Sequence, residues 1–361
     1  MALVLNRGNQ NQWVDLTDIL VDVPRQSLIT DSLGIFEDNF SPVKTVEIRR
    51  TQGVSHLVVD RNWDERNSNI VGGAKQSLQL AIPHFPLDDA ITPNDIDATV
   101  QVNSIQEAMG LETVANVRLD KMTNLRAAHD LTKEAARMEL IVDGTAYAPN
   151  GTLRTSYGKT VNFYTEFGIT RTETEITTFA GVGDPRSQIE GIRKAVVSGT
   201  RGAIGVPRVV ALCGSAYFDA LASNAFVNDA VKYQQMPGLS RELLVGRPDN
   251  NPFGLNGLYR TLDLWGVTFV DAGEAGYTNL AGTFVPFIGA KEARFLPVGL
   301  RGAFKTYYAP CQKFSTINRA AQGSYWFEYA NEKDSKIEIE SEQNFLNALL
   351  FPASVVRSYI A

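Results

Sequence analysis

The sequence of residues 111–144 is LETVANVRLDKMTNLRAAHDLTKEAARMELIVDG. It has no Pro, has no Gly before its last position, and is rich in Ala, Leu, Arg, Glu and Met, which favour helices. The pattern predicts one helix over Leu111–Val142 that ends at Asp143-Gly144. At about 1.5 Å per residue this helix is about 50 Å long, so we expect it to be a structural spine.

The apolar and charged residues of this helix predict its faces. One apolar face is predicted from Leu111, Ala115, Leu119 and Met122, and it continues through Leu125, Ala128, Ala135, Met138 and Val142. The basic residues Arg118, Lys121, Arg126, Lys133 and Arg137 are matched in number by Glu112, Asp120, Asp130, Glu134 and Glu139. We interpret them as a solvated, ion-paired face. The alternative is that the basic residues face packaged DNA.

Upstream, residues 43–85 predict a long β-hairpin. Val46 and Ile48 alternate in the first half, and Leu78, Leu80 and Ile82 alternate in the second. The two halves flank a polar centre, Arg61–Asn69. Strands of roughly 16 residues would project about 50 Å, and a two-stranded ribbon of that length is marginal alone in water. We therefore expect the ribbon to lie on a neighbouring subunit.

The first forty residues form an acidic arm with six acidic and two basic residues. Val14–Leu20 shows a short helical pattern, but the arm has too few periodic apolar positions for a core of its own. We expect the arm to lie on another surface. The hairpin is slightly basic, so an acidic arm and a basic hairpin of different subunits could pair.

Downstream of the spine, the pattern predicts a compact α/β domain. Asn150-Gly151 predicts a hairpin turn, and alternation from Val161 to Ile169 predicts a strand. Asp184 and Pro185 predict the N-cap and first position of a helix whose apolar face is Ile189, Ile192, Val196 and Val197. The remaining predictions are a strand at Val206–Leu212, a helix with Phe218, Leu221, Ala222 and Ala225 on one face, strands at Leu258–Leu264, Val267–Asp271, Thr283–Gly289 and Phe295–Tyr307, alternation at Ile337 and Ile339, and an apolar Phe345–Val356.

No catalytic, cofactor-binding or metal site is predicted. Cys213-Gly214-Ser215 lies between a strand and a helix but lacks the GxSxG pattern of a nucleophile elbow, so we interpret it as a buried thiol and an N-cap serine. The histidines, His56, His84 and His129, have no spacing that pairs them with a nucleophile. Cys213 and Cys311 lie too far apart in sequence to indicate a zinc site or a disulfide framework. Phosphate-binding glycine motifs are absent.

The composition narrows the class of protein further. The 361 residues include 34 basic and 40 acidic ones, a formal charge of −6, so bulk electrostatic capture of nucleic acid is not expected. The start of the chain lacks the pattern of a secretory signal. Gly214, Ser215 and Asp219 interrupt the most apolar long stretch, Val209–Val227, so no segment is predicted to span a membrane.

Four stretches in order along the chain resemble a known family. They are LQLAIPHFP with ITPND (78–86 and 91–95), MELIVDG (138–144), FVPFIG (284–289) and SEQNFLNALLFP (341–352). Together they resemble the lambda-type major capsid protein E family of tailed phages, which has the Hong Kong 97-type capsid fold. The resemblance implies an α+β chain with an N-terminal arm (1–41), an extended hairpin or E-loop (42–86), a P-domain with the spine helix (87–180), an inserted α/β A-domain (181–300) and a return to the P-domain (301–361).

The resemblance also implies a function. We expect hexamers and pentamers of this chain in an icosahedral head around double-stranded DNA, assembled in the host bacterial cytoplasm and found in the virion. Expected partners are copies of the chain, scaffold and portal proteins, a decoration protein, and DNA through non-specific contacts; no membrane, cofactor or enzymatic activity is expected. The alternatives are an encapsulin-like nanocompartment shell and a soluble α/β enzyme built on residues 181–300.

Overall fold

The computed structural model describes residues 14–15, 28–51, 75–97, 114–146, 161–179, 183–200, 208–227, 259–278, 282–316, 318–330 and 335–360. The helices are α1 (Ile29–Ser32), α2 (Pro93–Asp97), α3 (Val114–Asp143), α4 (Phe163–Glu166), α5 (Arg186–Gly199) and α6 (Ser215–Ser223). The strands are β1 (Val14–Asp15), β2 (Glu37–Phe40), β3 (Thr45–Thr51), β4 (Lys75–Ala81), β5 (Phe85–Ile91), β6 (Thr145–Ala146), β7 (Val161–Asn162), β8 (Thr172–Glu175), β9 (Arg208–Cys213), β10 (Thr261–Leu264), β11 (Val267–Asp271), β12 (Gly276–Thr278), β13 (Phe284–Pro286), β14 (Glu292–Val298), β15 (Phe304–Tyr308), β16 (Tyr325–Ala330), β17 (Ile337–Gln343), β18 (Phe345–Leu349) and β19 (Val356–Tyr359).

The predicted spine is confirmed as α3, a helix of 30 residues; residues 111–113 lie outside the described ranges. It ends where predicted, because Gly144 adopts a left-handed φ of +70° and a Cβ there would lie 2.3 Å from Cε2 of Tyr164. Two guanidinium groups satisfy the last turn: Arg294 Nε donates to the Val142 carbonyl at 3.2 Å, and Arg171 donates to the same oxygen.

A four-stranded antiparallel sheet of order β1-β16-β17-β5 packs on the N-terminal half of α3. Its shared core is a cluster of Ile91, Val117, Met122, Leu125, Trp326 and Ile339. The predicted helical pattern at Val14–Leu20 is wrong where the structure describes it, because Val14 and Asp15 pair with Glu328 and Phe327 as an edge strand. A tertiary backbone partner here outweighs a weak local helical pattern.

A six-stranded mixed sheet of order β10-β11-β9-β14-β19-β8 forms the α/β part. Helices α5 and α6 contribute Ile189, Ile192, Val196, Phe218 and Leu221 to the core on one face. The other face joins Met138, Leu140 and Ile141 of α3 in the largest core cluster. Strands β8 and β19 belong to this sheet although they lie outside residues 181–300; the domain boundaries themselves stay a prediction.

Several predicted elements differ in detail. The strand predicted over Val161–Ile169 is present only at Val161–Asn162 and is wrong beyond it. Asn162 Oδ1 accepts from the backbone N–H groups of Tyr164 and Thr165, which starts helix α4 and buries Phe163 and Phe167 on one side. Predicted strand Phe295–Tyr307 is two strands, β14 and β15, because Gly299 and Gly302 have positive φ in the turn between them. The predicted run Phe345–Val356 is likewise divided, by a 3-10 turn at Pro352–Ser354 between β18 and β19.

The base of the predicted hairpin is present as the antiparallel pair β3 and β4, from Thr45 opposite Ala81 to Thr51 opposite Lys75. The predicted alternation is confirmed, since Val46, Ile48, Leu78, Leu80 and Ile82 all contact the largest core cluster. The base of the ribbon therefore rests on its own chain. The polar centre at 61–69 and the predicted turn at Asn150-Gly151 lie outside the described residues.

Residues 28–40, the end of the predicted arm, are part of the body of the protein. Ile29, Leu33 and Ile35 are buried in the largest core cluster. Strand β2 pairs parallel to β15 in a three-stranded sheet of order β18-β15-β2. No helix in the described part of the chain has the length and hydropathy needed to cross a membrane.

Candidate functional site

The predicted strand-to-helix junction at Cys213 is a packed corner. The Cys213 side chain is fully buried, and this burial raises the pKa of its thiol well above the usual value. Gly214, and not Ser215 as predicted, is the N-cap of α6. A Cβ at position 214 would lie 2.2 Å from the carbonyl oxygen of Gly289, so close backbone packing explains the glycine. The junction is therefore suited to packing and not to nucleophilic chemistry.

The two histidines that the structure describes, His84 and His129, have different hydrogen-bond partners. His84 Nδ1 lies 2.9 Å from Oδ1 of Asn344. His129 is buried, and this burial lowers its pKa to about 4. The Ser341 hydroxyl donates to the Leu87 carbonyl at 2.7 Å, so it accepts from His129 Nε2 at 2.9 Å. His129 is thus a neutral core histidine; His56 lies outside the described residues.

Charged side chains lie together on the buried side of α3. Five charged residues there are at most 7% exposed: Arg126, Asp130, Lys133, Glu134 and Arg137. The prediction of a solvated face is therefore wrong for these residues. The alternative that they face DNA is also wrong for Arg126, Lys133 and Arg137, because they lie inside the protein.

Arg137 is the centre of this network. Its side chain is 1% exposed and donates to Asp31 Oδ1, to Asp38 Oδ1 at 3.0 Å and to Thr306 Oγ1 at 3.0 Å. The guanidinium carbon also lies 4.8 Å from the centre of the Phe36 ring. One side chain of the spine therefore binds the N-terminal segment and strand β15 together.

Glu134 joins the spine to the start of α1. Its Oε1 accepts from the backbone N–H of Thr30 at 3.0 Å, and its other oxygen accepts from the Thr30 hydroxyl. Burial raises the pKa of Glu134 above its usual value even though both Thr30 hydrogen bonds favour the charged form. These bonds satisfy a donor in the first turn of a very short helix.

Asp31 completes the connection between α1 and α3. Lys133 Nζ lies 3.0 Å from Asp31 Oδ2, and Arg137 binds its other oxygen. Although burial opposes ionisation, these two cations hold the pKa of Asp31 below its usual value. The hydroxyl that lies beside a carboxylate in this network, that of Thr30 beside Glu134, is fully buried and out of reach of a substrate. What the network does is fix segment 28–40 on the spine.

The opposite side of α3 is almost free of charge between Thr123 and Met138. The residues that are not buried there are Thr123, Asn124, Ala127, Ala128, Leu131, Thr132 and Ala135. The predicted apolar face is accordingly wrong at Ala128, which is exposed, and at Leu119, which is 50% exposed. The available signal was the spacing of Arg126, Asp130, Lys133 and Arg137, which repeats at four, three and four residues as a buried face does.

The remaining basic residues of α3 are paired as well. Arg118 lies 2.7 Å from the buried carboxylate of Glu328, and Lys121 lies 3.3 Å from both Asp89 and Asp95. Within the described residues, no group of three or more potential metal-ligating side chains is present. Charged residues predicted on the helix therefore form ion pairs that hold α3 to the neighbouring strands and helices.

Comparison with known proteins gives similarity over nearly the full length. The sequence model of the family described as Phage major capsid protein E matches residues 12–359. The major capsid protein of Pseudomonas phage KPP10 is 32% identical over 357 residues, 98% of both chains. The major capsid protein of Salmonella phage Felix O1 is 23% identical over 351 residues, 92% of this chain and 91% of the relative.

Solved structures share the architecture at low identity. A chain described as a prophage capsid protein of E. coli CFT073 has a TM-score of 0.57 and 11% identity, covering 97% of this chain and 100% of the other. The capsid of cyanophage Pam1 has a TM-score of 0.51 and 12% identity, covering 99% and 98%. These likenesses concern the fold alone.

Proposed function

Because the chain belongs to the phage major capsid protein E family, we propose that its copies form the hexamers and pentamers of an icosahedral phage head. The chain is a structural protein of the virion and not an enzyme, as expected for this family. Its fold is the predicted α+β capsid fold of the Hong Kong 97 type. The observation that carries the proposal is the family match over residues 12–359.

The arrangement of the chain suits a shell subunit. The spine α3 has the four-stranded sheet on one half and the six-stranded sheet on the other. The buried charges fasten the N-terminal segment to this spine. A subunit made rigid in this way can repeat in rings, while extended segments adjust to small differences between ring environments.

The long hairpin is proposed to reach an adjacent subunit. Its base, β3 and β4, is fixed to its own body by apolar contacts, so the test is directed at the polar centre of the predicted hairpin. Deleting Arg61–Asn69 and measuring particle size by sedimentation tests this clamp. Loss of shells with an unchanged unfolding midpoint supports it, and normal shells contradict it.

Further partners are a scaffold protein, a portal protein, a decoration protein and packaged DNA. For DNA we propose non-specific contacts made by residues other than those of α3, because the basic residues described there are paired or buried. Such contacts weaken steeply with salt. DNA release from opened particles with rising salt is the expected result, and salt-independent retention would contradict it.

The nanocompartment alternative is not favoured, because the family and the curated relatives are phage capsid proteins. The decisive experiment is expression of the chain in a bacterium, alone and together with a phage scaffold protein, followed by electron microscopy. Shells, tubes or capsomers are the expected products, with assembly in the bacterial cytoplasm. A chain that stays monomeric in both preparations at high concentration would contradict the proposal.

A further inference from the structure

Phe314 is the most exposed large apolar side chain in the described part of the chain. It is 97% exposed, whereas the others in this class, including Phe40, Val43 and Phe226, lie between 44% and 54%. It lies in the loop between β15 and β16. Within the described part of its own subunit this phenylalanine contacts almost nothing and therefore has no packing role.

The loop that carries Phe314 is held firmly on both sides of it. The backbone N–H of Thr316 donates to the Lys313 carbonyl at 3.1 Å, which closes a turn around Phe314 and Ser315. The Thr316 hydroxyl oxygen lies 2.9 Å from the carbonyl oxygen of Cys311 and 3.0 Å from that of Lys313, and its single hydrogen is donated to one of them at a time. The exposure of Phe314 is therefore imposed by the turn.

Lys313 fixes the turn to the four-stranded sheet. Its Nζ donates to Tyr329 Oη at 2.8 Å and to Glu340 Oε2 at 2.6 Å, and lies 5.3 Å from the centre of the Phe327 ring. Burial opposes the charge of Lys313, but these partners raise its pKa above the usual value. These bonds hold the backbone on both sides of Phe314, so less conformational entropy is lost if Phe314 is buried in a contact.

Two further exposed apolar side chains lie on the segment that is tied to this loop. Lys44 Nζ donates to Gln312 Oε1 at 3.2 Å, which joins the stretch after β2 to the Phe314 loop. On that stretch Val43 is 54% exposed, and Phe40 is 51% exposed while stacking on Tyr308 at 5.2 Å. We call Phe40, Val43 and Phe314, which are carried by two surface segments joined through Lys44 and Gln312, the apolar patch.

We propose that the apolar patch, with Phe314 as its anchor, is a contact between two copies of this chain in the assembled shell. Exposed apolar surface is common where proteins bind one another, and aromatic anchors dominate the binding energy of such contacts. The inference rests on the proposed function, which supplies the second copy as the partner.

The chemistry of the patch argues against DNA as its occupant. Duplex DNA presents phosphates, which bind Lys and Arg. The side chain at the apex of the turn is uncharged, and Lys313 beside it is already bound to Glu340 and Tyr329. A neighbouring subunit, in contrast, can remove the Phe314 ring from water.

The test compares Phe314→Ser with Phe226→Ser, a control of the same residue type on the six-stranded-sheet domain. The critical concentration for assembly is measured by light scattering, and the unfolding midpoint of disassembled subunits by tryptophan fluorescence. Phe314→Ser is expected to raise the critical concentration about tenfold or more, as loss of an aromatic anchor does. Its unfolding midpoint stays unchanged. Phe226→Ser and Phe314→Leu are expected to assemble within about threefold of wild type.

Each alternative outcome overturns the inference. Normal assembly of Phe314→Ser shells means that the residue is no anchor between copies, and shells that assemble normally but lose a decoration protein assign the patch to that protein. A lowered unfolding midpoint for Phe314→Ser means that the side chain packs within its own subunit. These outcomes differ from failure of the proposed function, in which wild-type chains themselves form no assemblies.

Discussion

Arg137→Met removes the cation at the centre of the buried network while keeping a long apolar side chain. The change leaves Asp31 with Lys133 alone, and takes from Asp38 and Thr306 their bonds at 3.0 Å to the guanidinium. Breaking a buried pair by removing one partner typically costs about 3–5 kcal/mol. We expect about 3 kcal/mol here, because Asp31 and Asp38 are about half exposed and regain some hydration.

Urea unfolding of disassembled subunits, followed by tryptophan fluorescence, measures this loss as a lower midpoint. Arg186→Met is the matched control. Arg186 is paired with Glu190 at 2.9 Å one turn along α5, but both side chains lie in solvent, and such pairs contribute little that can be measured. The unfolding midpoint of Arg137→Lys should fall between those of wild type and Arg137→Met. A single ammonium nitrogen cannot bind Asp31 and Asp38 as the two terminal nitrogens of a guanidinium do.

If Arg137→Met and Arg186→Met have the same midpoint, the network does not stabilise the fold. Equal midpoints would also remove the argument that segment 28–40 is fixed to the spine by charge. A loss confined to Arg137→Met, with shells still forming at low urea, is the result that the structure predicts.

Three further predictions use the same unfolding assay. Glu134→Gln should keep the bond from the Thr30 N–H to its side-chain oxygen, while its amide NH2 donates to the Thr30 hydroxyl oxygen in place of the bond that the carboxylate accepts. It should remove the loss of stability that wild type shows as pH rises through the raised pKa of Glu134, and identical pH profiles for the two proteins would contradict this. Glu134→Ala should cost about 1–3 kcal/mol by leaving the Thr30 N–H unpaired. Burial lowers the pKa of His129 from 6.5 to about 4, so the stability that the neutral ring contributes above pH 6.5 should be lost as the pH falls to 4. The expected loss is about 3 kcal/mol relative to His129→Gln. A parallel pH dependence of the two proteins would be inconsistent with a buried neutral histidine. Gly144→Ala should destabilise by about 2 kcal/mol or more through its positive φ and the contact with Tyr164, while Gly191→Ala, in open space inside α5, should stabilise by about 0.5–1 kcal/mol; changes of the same sign would show that backbone conformation does not decide the difference.

Much of the local structure could be predicted from the sequence. The spine α3 and its end at Gly144 follow from uninterrupted helix-forming residues and a terminal glycine. The base of the hairpin follows from the alternation of apolar and polar residues, which places the side chain of Ile48 in the core. In these places the local preference and the tertiary environment agree.

The differences arise where distant residues decide the structure. Asn162 turns an alternating run into a helix by capping it, and β1 exists only because β16 offers it a partner. Pairing of β8 with β19 and of β2 with β15 joins residues far apart in the chain, and no local pattern records it.

Of all the features of the structure, the network of buried charges on α3 could be predicted least well from the sequence. Periodicity methods place apolar residues inside and charges outside, but α3 buries Arg137 and Glu134 and leaves Ala128 exposed. Such burial is possible only because Asp31, Asp38 and Thr30 arrive from the N-terminal segment with matching groups. Equal numbers of acidic and basic residues on the helix indicated pairing, but not pairing within the core.

A cryo-electron microscopy reconstruction of purified particles shows whether this chain tiles the phage head. We expect closed shells in which this chain fills every hexamer and pentamer, with α3 in each copy and segment 28–40 held against it. A shell built from a different protein, with this chain absent or present only at isolated positions, would contradict it.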